Sequence, residues 1–593
     1  MAIALSLLTV SCGGSEGDSP TPTPPQGGGS GNEVVVKTTV KENLLLSLST
    51  DKACYRPGET VKISVEGTIP SGAVVRYRKG NEVVGTAPVA GNQWSWNAPS
   101  EDFCGYLADV CTVEGDVETI YGTVGIDVSS DWTRYPRYGF VATYDDSKTP
   151  TVMADEMAFL NRCHINGIQF YDWHNKHHWP LGGTRDALLE RYKDIANREV
   201  VTDVVKRYIE ASHSFGMKAM FYNLCYGALD DAASDGVQDG WYLFKGVGGT
   251  DKDVLTLGGG WKSNIYIVNP GNEGWQSYLA ERNDDVYASF DFDGYHIDQL
   301  GDRGTLYDAA GNQVNLPKGF ASFINAMKAA HPSKRLVMNA VANYGASQIA
   351  GTGKVDFLYN ELWAGESQFS DLLTAKSANS VYSNGGMQTI FAAYMNYGKS
   401  GAKGTFNTAG VLLTDAVMFA IGAAHLELGD GHMLCHEYFP NGNLTMSDEL
   451  RQAIVRYYDF LVAYETLLRG SGEETAFAVE SGRSDVSINA WPPQLKKLTA
   501  YSRKVGGKDV VHLLNFRQAN SLSWRDMDGS MPTPMTLTGL PLSFKSTAKV
   551  KRIWVASPDC LGGAPQELSF KQENGVVTLT LPSLKYWTMM VVE

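Results

Sequence analysis

Asp298 closes the run Phe292-Asp-Gly-Tyr-His-Ile-Asp298, a short apolar strand that stops at a carboxylate and gives way to the polar, glycine-rich Gln-Leu-Gly-Asp-Arg-Gly304. Glu361 closes a second run of the same kind, Val355-Asp-Phe-Leu-Tyr-Asn-Glu361-Leu-Trp, some sixty residues later. Carboxylates at the C-terminal ends of two different barrel strands face one site, and such a pair is what cleavage of a glycosidic bond requires. Asp298 is the candidate nucleophile, because an ionised carboxylate on a rigid strand end can meet an oxocarbenium-like centre. Glu361 is the candidate general acid/base. It follows Asn360 on an apolar strand, where partial burial raises a carboxyl's pKa until it keeps its proton near neutral pH. The plainer alternatives are a helix cap or an ion pair with Arg303 for Asp298, and a structural carboxylate for Glu361. Asp293, at its strand's start, and Asp302, out in the loop, are weaker candidates.

Other strand ends collect groups that suit a sugar. These are Asp172, Trp173 and His174 in FYDWH, Tyr222 and Asn223, His296 beside Asp298, and Asn339 in NAVANY. Trp363 follows Glu361, Tyr394 and Asn396 stand in YMNY, and Glu427 and Asp430 in ELGDGH. Hydroxyls need Asp, Asn and His as partners, and ring faces need Trp and Tyr. A lone Asp after a strand is more often a helix cap than a catalyst, but several strands ending this way at one rim point to a substrate site. His174, His177 and His178 invite a metal reading. Their spacing in WHNKHHW fits no standard zinc pattern and no HExxH accompanies it, so substrate contact or loop packing is expected. No metal or organic cofactor is indicated, and no GxGxxG or GxxxxGK[ST] supports nucleotide binding.

The positioning elements follow from the pattern between Tyr135 and about residue 470, where strands alternate with amphipathic helices. Eight strands are predicted: Tyr138–Tyr144, Gly167–Tyr171, Lys218–Tyr222, Gly294–Ile297, Arg335–Asn339, Phe357–Asn360, Thr389–Tyr394 and Ala424–Leu428. Helices such as Val201–Phe215 and Gly319–His331 lie between them. Eight repeats favour a closed (β/α)8 TIM barrel over an open sheet, here given residues 132–470. Short alternating runs broken by turns predict an immunoglobulin-like β-sandwich over 34–131, with Trp94 and Trp96 in its core, and a C-terminal β-sandwich over 471–593.

With 593 residues, 43% hydrophobic and 19% charged, the chain reads as a multidomain globular protein. Its net charge of −15 argues against nucleic acid. The N-terminus reads as a lipoprotein-type signal over 1–12. Ala2 to Val10 is apolar and Ser11 precedes Cys12, the expected lipidation site, although no Lys or Arg precedes the run. A Gly/Ser/Pro linker over 13–33 follows. That predicts an exported bacterial lipoprotein of the cell envelope, held to a membrane only through Cys12, since the apolar run is too short to span one. The seven remaining cysteines do not make a disulfide framework. Cys104 and Cys111 are close enough in sequence for a hairpin disulfide, while Cys163, Cys225 and Cys435 read as buried small hydrophobes.

At INGIQFYDWHNKHHWP, YIVNPGNEGWQ, FDGYHIDQLGDRG, NAVANYG, FLYNELW, AAYMNYG and LTDAVMFAIGAAHLELGDGHMLCHEYFPN the chain resembles glycoside hydrolase family 66. This family comprises the dextranases and the cycloisomaltooligosaccharide glucanotransferases. The resemblance runs from the first β-rich unit to the last and implies a retaining mechanism on α-1,6-linked glucan (dextran), with isomaltooligosaccharides as products. It also implies a nucleophilic Asp after the fourth strand and an acid/base Glu after the sixth, which fall on Asp298 and Glu361. Transferases of the family carry a carbohydrate-binding module inserted in the catalytic region. No β-rich block of that size interrupts 135–470, which favours an endo-dextranase. The alternatives are the glucanotransferase and a non-catalytic glycan-binding surface lipoprotein.

Overall fold

The computed structural model describes residues 31–593, so Cys12, the apolar run before it and most of the Gly/Ser/Pro stretch lie outside the described residues. Eight parallel strands pair in chain order into one sheet: β1 (Tyr138–Val141), β2 (Gly167–Phe170), β3 (Lys218–Leu224), β4 (Gly294–Asp298), β5 (Arg335–Val341), β6 (Leu358–Glu361), β7 (Thr389–Ala392) and β8 (Ala424–Leu426). The sheet curls into a nearly closed barrel. At the seam the Phe140 amide donates to the Leu428 carbonyl (3.1 Å), and the Asp430 carboxylate accepts from the amides of Ala142 and Thr143 (both 3.1 Å). Gly294 opens β4 because a Cβ there would come within 2.2 Å of the Arg335 carbonyl oxygen.

Alternation along these strands sorts side chains between two cores. Tyr138, Phe140, Met220, Val337, Phe357, Tyr359, Ile390, Ala392, Ala424 and Leu426 fill the interior above Trp132. Their neighbours Phe221, Tyr295, Ile297, Met338 and Phe391 face the helices in a second, larger cluster. The helices begin where caps allow. Thr149 caps α1 (Pro150–Arg162), Asn272 caps α3 (Glu273–Ser289), Asn315 caps α4 (Leu316–Ala330) and Ser447 caps α8 (Asp448–Ala463), each side chain accepting a first-turn amide. α2 (Thr202–Ser214) and α5 (Ala346–Gly351) lack such a bond, whereas α6 (Phe369–Tyr382) starts with a Gln368/Asp371 capping box. α7 (Thr408–Ala420) is buried at every position from Ala409 on. It packs on β8 and α8 and against strands Lys508–Asn515 and Trp587–Val592 of the C-terminal unit, which explains its apolar circumference.

Two β-rich units flank the barrel. In the first, strand Thr39–Glu42 edges a five-stranded sheet and Ser47–Thr50 a three-stranded one, and their apolar faces form one cluster. Trp96 stacks on Tyr77 (4.4 Å between centroids) and Trp94 donates to the Tyr77 hydroxyl, so both belong to that packing. In the second, a five-stranded and a seven-stranded sheet enclose another cluster. The first described strand, Asn32–Val34, pairs antiparallel with Phe570–Gln572 of this last unit and is neither linker nor part of the first unit. Cys104 and Cys111 share one strand, opposite Val128 and Ile120, about 23 Å apart at strand rise, so no disulfide joins them. They are free, as are buried Cys163, Cys225 and Cys435.

Arg137 ties the first unit to the barrel. Fully buried, it donates to Asp127 Oδ2 (2.6 Å) and Glu465 Oε2 (3.3 Å) and to the carbonyls of His164 and Ala53. Removing one partner of such a network leaves the others charged and unpaired. Arg137→Met is expected to lower unfolding stability by about 3–5 kcal/mol. Urea and thermal unfolding check this, and a loss under about 1 kcal/mol would show that the ion network contributes little.

Candidate active site

At the C-terminal mouth of the barrel the inward-facing positions end in polar groups around a cleft of about 320 Å³. Tyr222 (β3), Asp298 (β4), Asn339 (β5), Glu361 (β6) and Tyr394 (beyond β7) line it together. The Asn339 side-chain amide donates one hydrogen to Asp298 Oδ1 (2.8 Å) and the other to Glu361 Oε2 (2.8 Å). Those two oxygens are therefore separated by at most twice 2.8 Å, and the usual amide geometry brings them to about 4.8 Å, near the 5–5.5 Å carboxyl spacing of retaining glycosidases. Tyr222 Oη donates to the other Asp298 oxygen (2.7 Å), and Tyr394 Oη donates to Glu361 Oε1. Arg303, the alternative partner for Asp298, instead grips Asp253 at 2.6 and 2.8 Å.

Burial and mutual repulsion set the protonation. Burial, followed by the negative charge of Asp298, pushes the Glu361 carboxyl up to about 7. Burial also raises Asp298, but donors from Tyr222, Asn339 and the Gln299 amide favour its charged form and pull it back. The site thus holds one carboxylate and one carboxylic acid near neutral pH. Burial drives His296, beneath Asp298, down to about 3, so it is neutral; it bonds the Tyr138 hydroxyl (3.2 Å) and stacks between Tyr138 and Tyr222.

Asp172 also lines the cleft, in a left-handed conformation (φ 46°), with Oδ2 buried and unpartnered and Arg198 Nη2 4.0 Å away. Burial, partly offset by Arg198, raises its carboxyl to about 8, so it can offer a proton to a sugar hydroxyl. Trp363 lines the opposite wall, tilted against Tyr394 (5.4 Å).

Six sequence candidates lie elsewhere. Trp173 turns into the helix-side core, its indole donating to the Tyr222 carbonyl (3.2 Å) and its ring packed on Phe290 and Phe292. His174 and Asn223 sit behind the wall, both bonded to His177 (3.0 and 2.8 Å). Asn396 holds the Asp526 carbonyl (2.7 Å). Glu427 points outward between β8 and the helices, beside His425 (3.4 Å) and the Tyr458 hydroxyl (3.0 Å). Asp430 staples the barrel seam and pairs with Lys148 (3.0 Å). The third histidine, His178, meets Asp235, and the Lys176 ammonium lies between Asp231 and Asp235 where a cation would sit.

Lining residues not singled out from sequence include Gln169, Tyr171, Tyr359, Trp261, Glu437 and Phe439. Gln169 and Tyr171 share the inward parity of β2, a signal available in the sequence. Tyr171 stacks face to face on Phe439 (4.3 Å) and leans on Tyr222 (4.9 Å), making an aromatic floor beside the two carboxylates. Trp261 comes from residues 225–272, a long excursion after β3 that also supplies Leu255 and Leu257.

The sequence pattern of Glycosyl hydrolase family 66 matches residues 50–591. A cycloisomaltooligosaccharide glucanotransferase of Niallia circulans is 26% identical over 700 aligned positions, covering 91% of this chain and 71% of that protein. A dextranase of Streptococcus salivarius is 25% identical, covering 79% of this chain and 65% of the relative. The crystal structure of a Paenibacillus sp. cycloisomaltooligosaccharide glucanotransferase complexed with cycloisomaltoheptaose superposes with a TM-score of 0.84 at 25% identity, covering 93% of this chain and 100% of the other. With that match over nearly the whole barrel and both flanking units, the chain is a glycoside hydrolase belonging to glycosyl hydrolase family 66.

Proposed function

We propose that the protein is a retaining endo-glycosidase that hydrolyses α-1,6-glucosidic linkages of dextran to linear isomaltooligosaccharides. The observation that carries this reading is the bracketing of Asp298 and Glu361 by one Asn339 amide, too tight for a water to attack between them as inversion requires. The names of the relatives, dextranase and cycloisomaltooligosaccharide glucanotransferase, support the α-1,6-glucan. On this reading the flanking units are an immunoglobulin-like sandwich and a C-terminal sandwich that hold the barrel.

In the first step Glu361 gives its proton to the glycosidic oxygen while Asp298 attacks the anomeric carbon. The C–O bond breaks and a β-glucosyl ester forms. Esterification removes the Asp298 charge, one of the three causes that raise Glu361, so Glu361 stays ionised more readily once it has acted as the acid and is in the form that can take a proton from water. It then takes a proton from water, which releases the sugar with its α configuration.

The second reading is cyclising transfer, in which a sugar hydroxyl replaces water. The length of the alignment with the Niallia circulans transferase weighs against it. It runs over 700 positions, whereas 91% of this 593-residue chain is about 540 residues, so about 160 positions of that relative have no counterpart here. Dextran incubated with the purified protein is expected to give a ladder of linear isomaltooligosaccharides, with starch and pullulan untouched. Asp298→Ala should abolish the ladder without lowering the melting temperature. Cyclic products would establish the transferase. A failure to cleave any of the three would favour a glycan-binding protein, and an Asp298→Ala variant retaining a tenth of the activity would refute Asp298 as the nucleophile.

Glu361 carries a pH signature. Because its folded pKa is about 7 against 4.5, the native state holds a proton that the unfolded chain has released. Stability therefore falls between those values, by about 1.4 kcal/mol per pH unit. Glu361→Gln has no proton to lose, so its melting temperature should match wild type at pH 4 and exceed it increasingly up to pH 7. The basic limb of kcat/KM on dextran should fall near the same pH. A constant difference between the two melting curves across this window would contradict the buried acid.

We also propose export as a lipoprotein anchored at Cys12, on the Ser11-Cys12 sequence after the apolar run. Labelled fatty acid should enter the full-length protein expressed in a Gram-negative host and be absent from Cys12→Ser; equal labelling of both would refute the anchor.

A further inference from the structure

The wall behind Glu361 is closed by a residue that the barrel does not supply. Residues 516–536 join strands Lys508–Asn515 and Leu537–Lys545 of the C-terminal unit, and they run across the ends of β6 and β7. They are fastened there by many bonds. The Trp524 indole donates to the Glu366 carbonyl (2.6 Å), and Thr414 donates to the Trp524 carbonyl (2.7 Å). The Asn396 amide donates to the Arg525 carbonyl (3.0 Å), and Gly398 donates to the Met527 carbonyl (2.9 Å). Gly410 on α7 leaves room for Asp526, whose Oδ2 would stand 2.2 Å from a Cβ there.

This fastening delivers Arg525 into a cage of aromatic faces. Its guanidinium carbon lies 4.8 Å from the ring centre of Trp524, 5.6 Å from Trp363, 5.7 Å from Tyr397 and 6.0 Å from Tyr394. Nη2 donates to the carbonyl of Leu362, the residue after Glu361 (2.7 Å). The side chain is buried, yet among the described residues it forms no ion pair. Buried charges are ordinarily matched by an opposite charge. The carboxylates whose charge it feels are Glu361 and Glu437, on the far side of the tyrosines.

We propose that Arg525 is a positioning residue for the acid/base: it locks the Trp363–Tyr394 wall that holds Glu361, and it supplies the positive charge opposite the carboxylate that Glu361 becomes after giving up its proton. The inference rests on the assignment of Glu361 above. Around Glu361 the titratable and charged groups are Asp298 and His296 on β4, Tyr394 beyond β7, Tyr359 on β6, Tyr171 and Asp172 beyond β2, Tyr222 on β3 and Glu437 in the loop after β8. Glu437 is held by Tyr397 (2.7 Å) and His436 (3.0 Å). Arg198 lies on the Asp172 side of the cleft, and Arg525 is the cation on the Glu361 and Glu437 side.

The test is the pH profile of kcat/KM on dextran for Arg525→Lys, Arg525→Gln and Arg525→Met. Gln and Met remove the charge, so Glu361 should hold its proton longer. The basic limb should move to higher pH by about half a unit, with kcat/KM at the optimum falling about tenfold or more. Arg525→Lys should keep the limb at the wild-type pH. A purely structural arginine would lower activity in all three with the limb unmoved, and that result overturns the proposal. Circular dichroism melting checks folding, and if Arg525→Met does not fold, the comparison of Lys with Gln decides. The Glu361 carboxyl can also be titrated by NMR of carbon-13 glutamate, assigned against Glu361→Gln, in wild type and Arg525→Gln. That titration needs no turnover. A protein that fails to cleave dextran would defeat the enzymatic reading, whereas an unshifted Glu361 in Arg525→Gln would defeat this one.

Discussion

Everything at the mouth of the barrel depends on a repulsion that one amide makes tolerable. Two carboxylate oxygens within 5.6 Å of each other, if both charged, would repel by about 3 kcal/mol at an effective dielectric of about 20. Burial adds to the penalty, so only one of them is charged near neutral pH. Asn339 fixes the pair because both of its amide hydrogens are used, one on each carboxyl. Its own Oδ1 is left buried without a partner, and turning the amide over would aim that oxygen at both acids. The orientation is thus dictated by the carboxyls as much as it dictates theirs. The remaining oxygens are held by tyrosines from neighbouring strands, Tyr222 for Asp298 and Tyr394 for Glu361, so that each acid meets a donor from each side. A centre in which proton occupancy differs while geometry is shared can serve as nucleophile on one side and acid on the other.

The sequence displayed the strands and the two acids clearly, because eight short apolar runs recur between helices and two of them close on Asp298 and Glu361. Every one of the eight predicted strands overlaps its counterpart, with ends shifted by a few residues at most. What it displayed less plainly was which of two adjacent polar residues turns inward. In a barrel that is decided by parity. His296 and Asp298 share a face, as do Tyr359 and Glu361, whereas Asn223 falls out of phase with Tyr222 and Glu427 out of phase with Leu426. Counting alternate positions back from the apolar interior would have separated these. Trp173 obeys a different rule. By parity it should accompany Gln169 and Tyr171, but Asp172 takes a left-handed conformation, the count slips by one, and the indole swings into the helix-side core. A backbone reversal at a non-glycine residue leaves no trace in hydrophobic periodicity. Asp430 and Asn396, expected to bind substrate, instead serve backbone at the rim, one closing the seam and the other holding the C-terminal loop.

The flanking units act on the site through buried polar contacts that tie them to the barrel. Asp459 on α8 accepts from Arg162 and from the Gly125 amide and bonds His164, which joins the first unit to the first barrel helix. Arg137 does the same beneath β1. The C-terminal unit reaches further. It covers α7, which has no polar face of its own, and its 516–536 excursion lies against the ends of β6 and β7, where Glu361 closes one strand and Tyr394 follows the other. The ends of those two strands are therefore covered by the C-terminal unit. Rigid support of this kind fixes a catalytic side chain to fractions of an ångström, and it comes here from a sequence region well over a hundred residues away.

On the proposed double displacement, the same carboxyl pair passes its glucosyl group to water or to a sugar hydroxyl, because both acceptors lose their proton to the same base. Nothing in the arrangement of Asp298, Asn339 and Glu361 distinguishes them. Discrimination must therefore lie on the acceptor side, in how long a leaving chain is retained near the ester and how readily water reaches it. The cleft is lined by Leu255, Leu257 and Trp261 from the 225–272 excursion, by Trp363, and by Phe439 and Glu437 beyond β8. Apolar and aromatic surfaces hold a sugar ring by its C–H face without fixing its hydroxyls, so a chain can slide and leave. Retention long enough for a chain's own end to return needs additional grip beyond the barrel mouth.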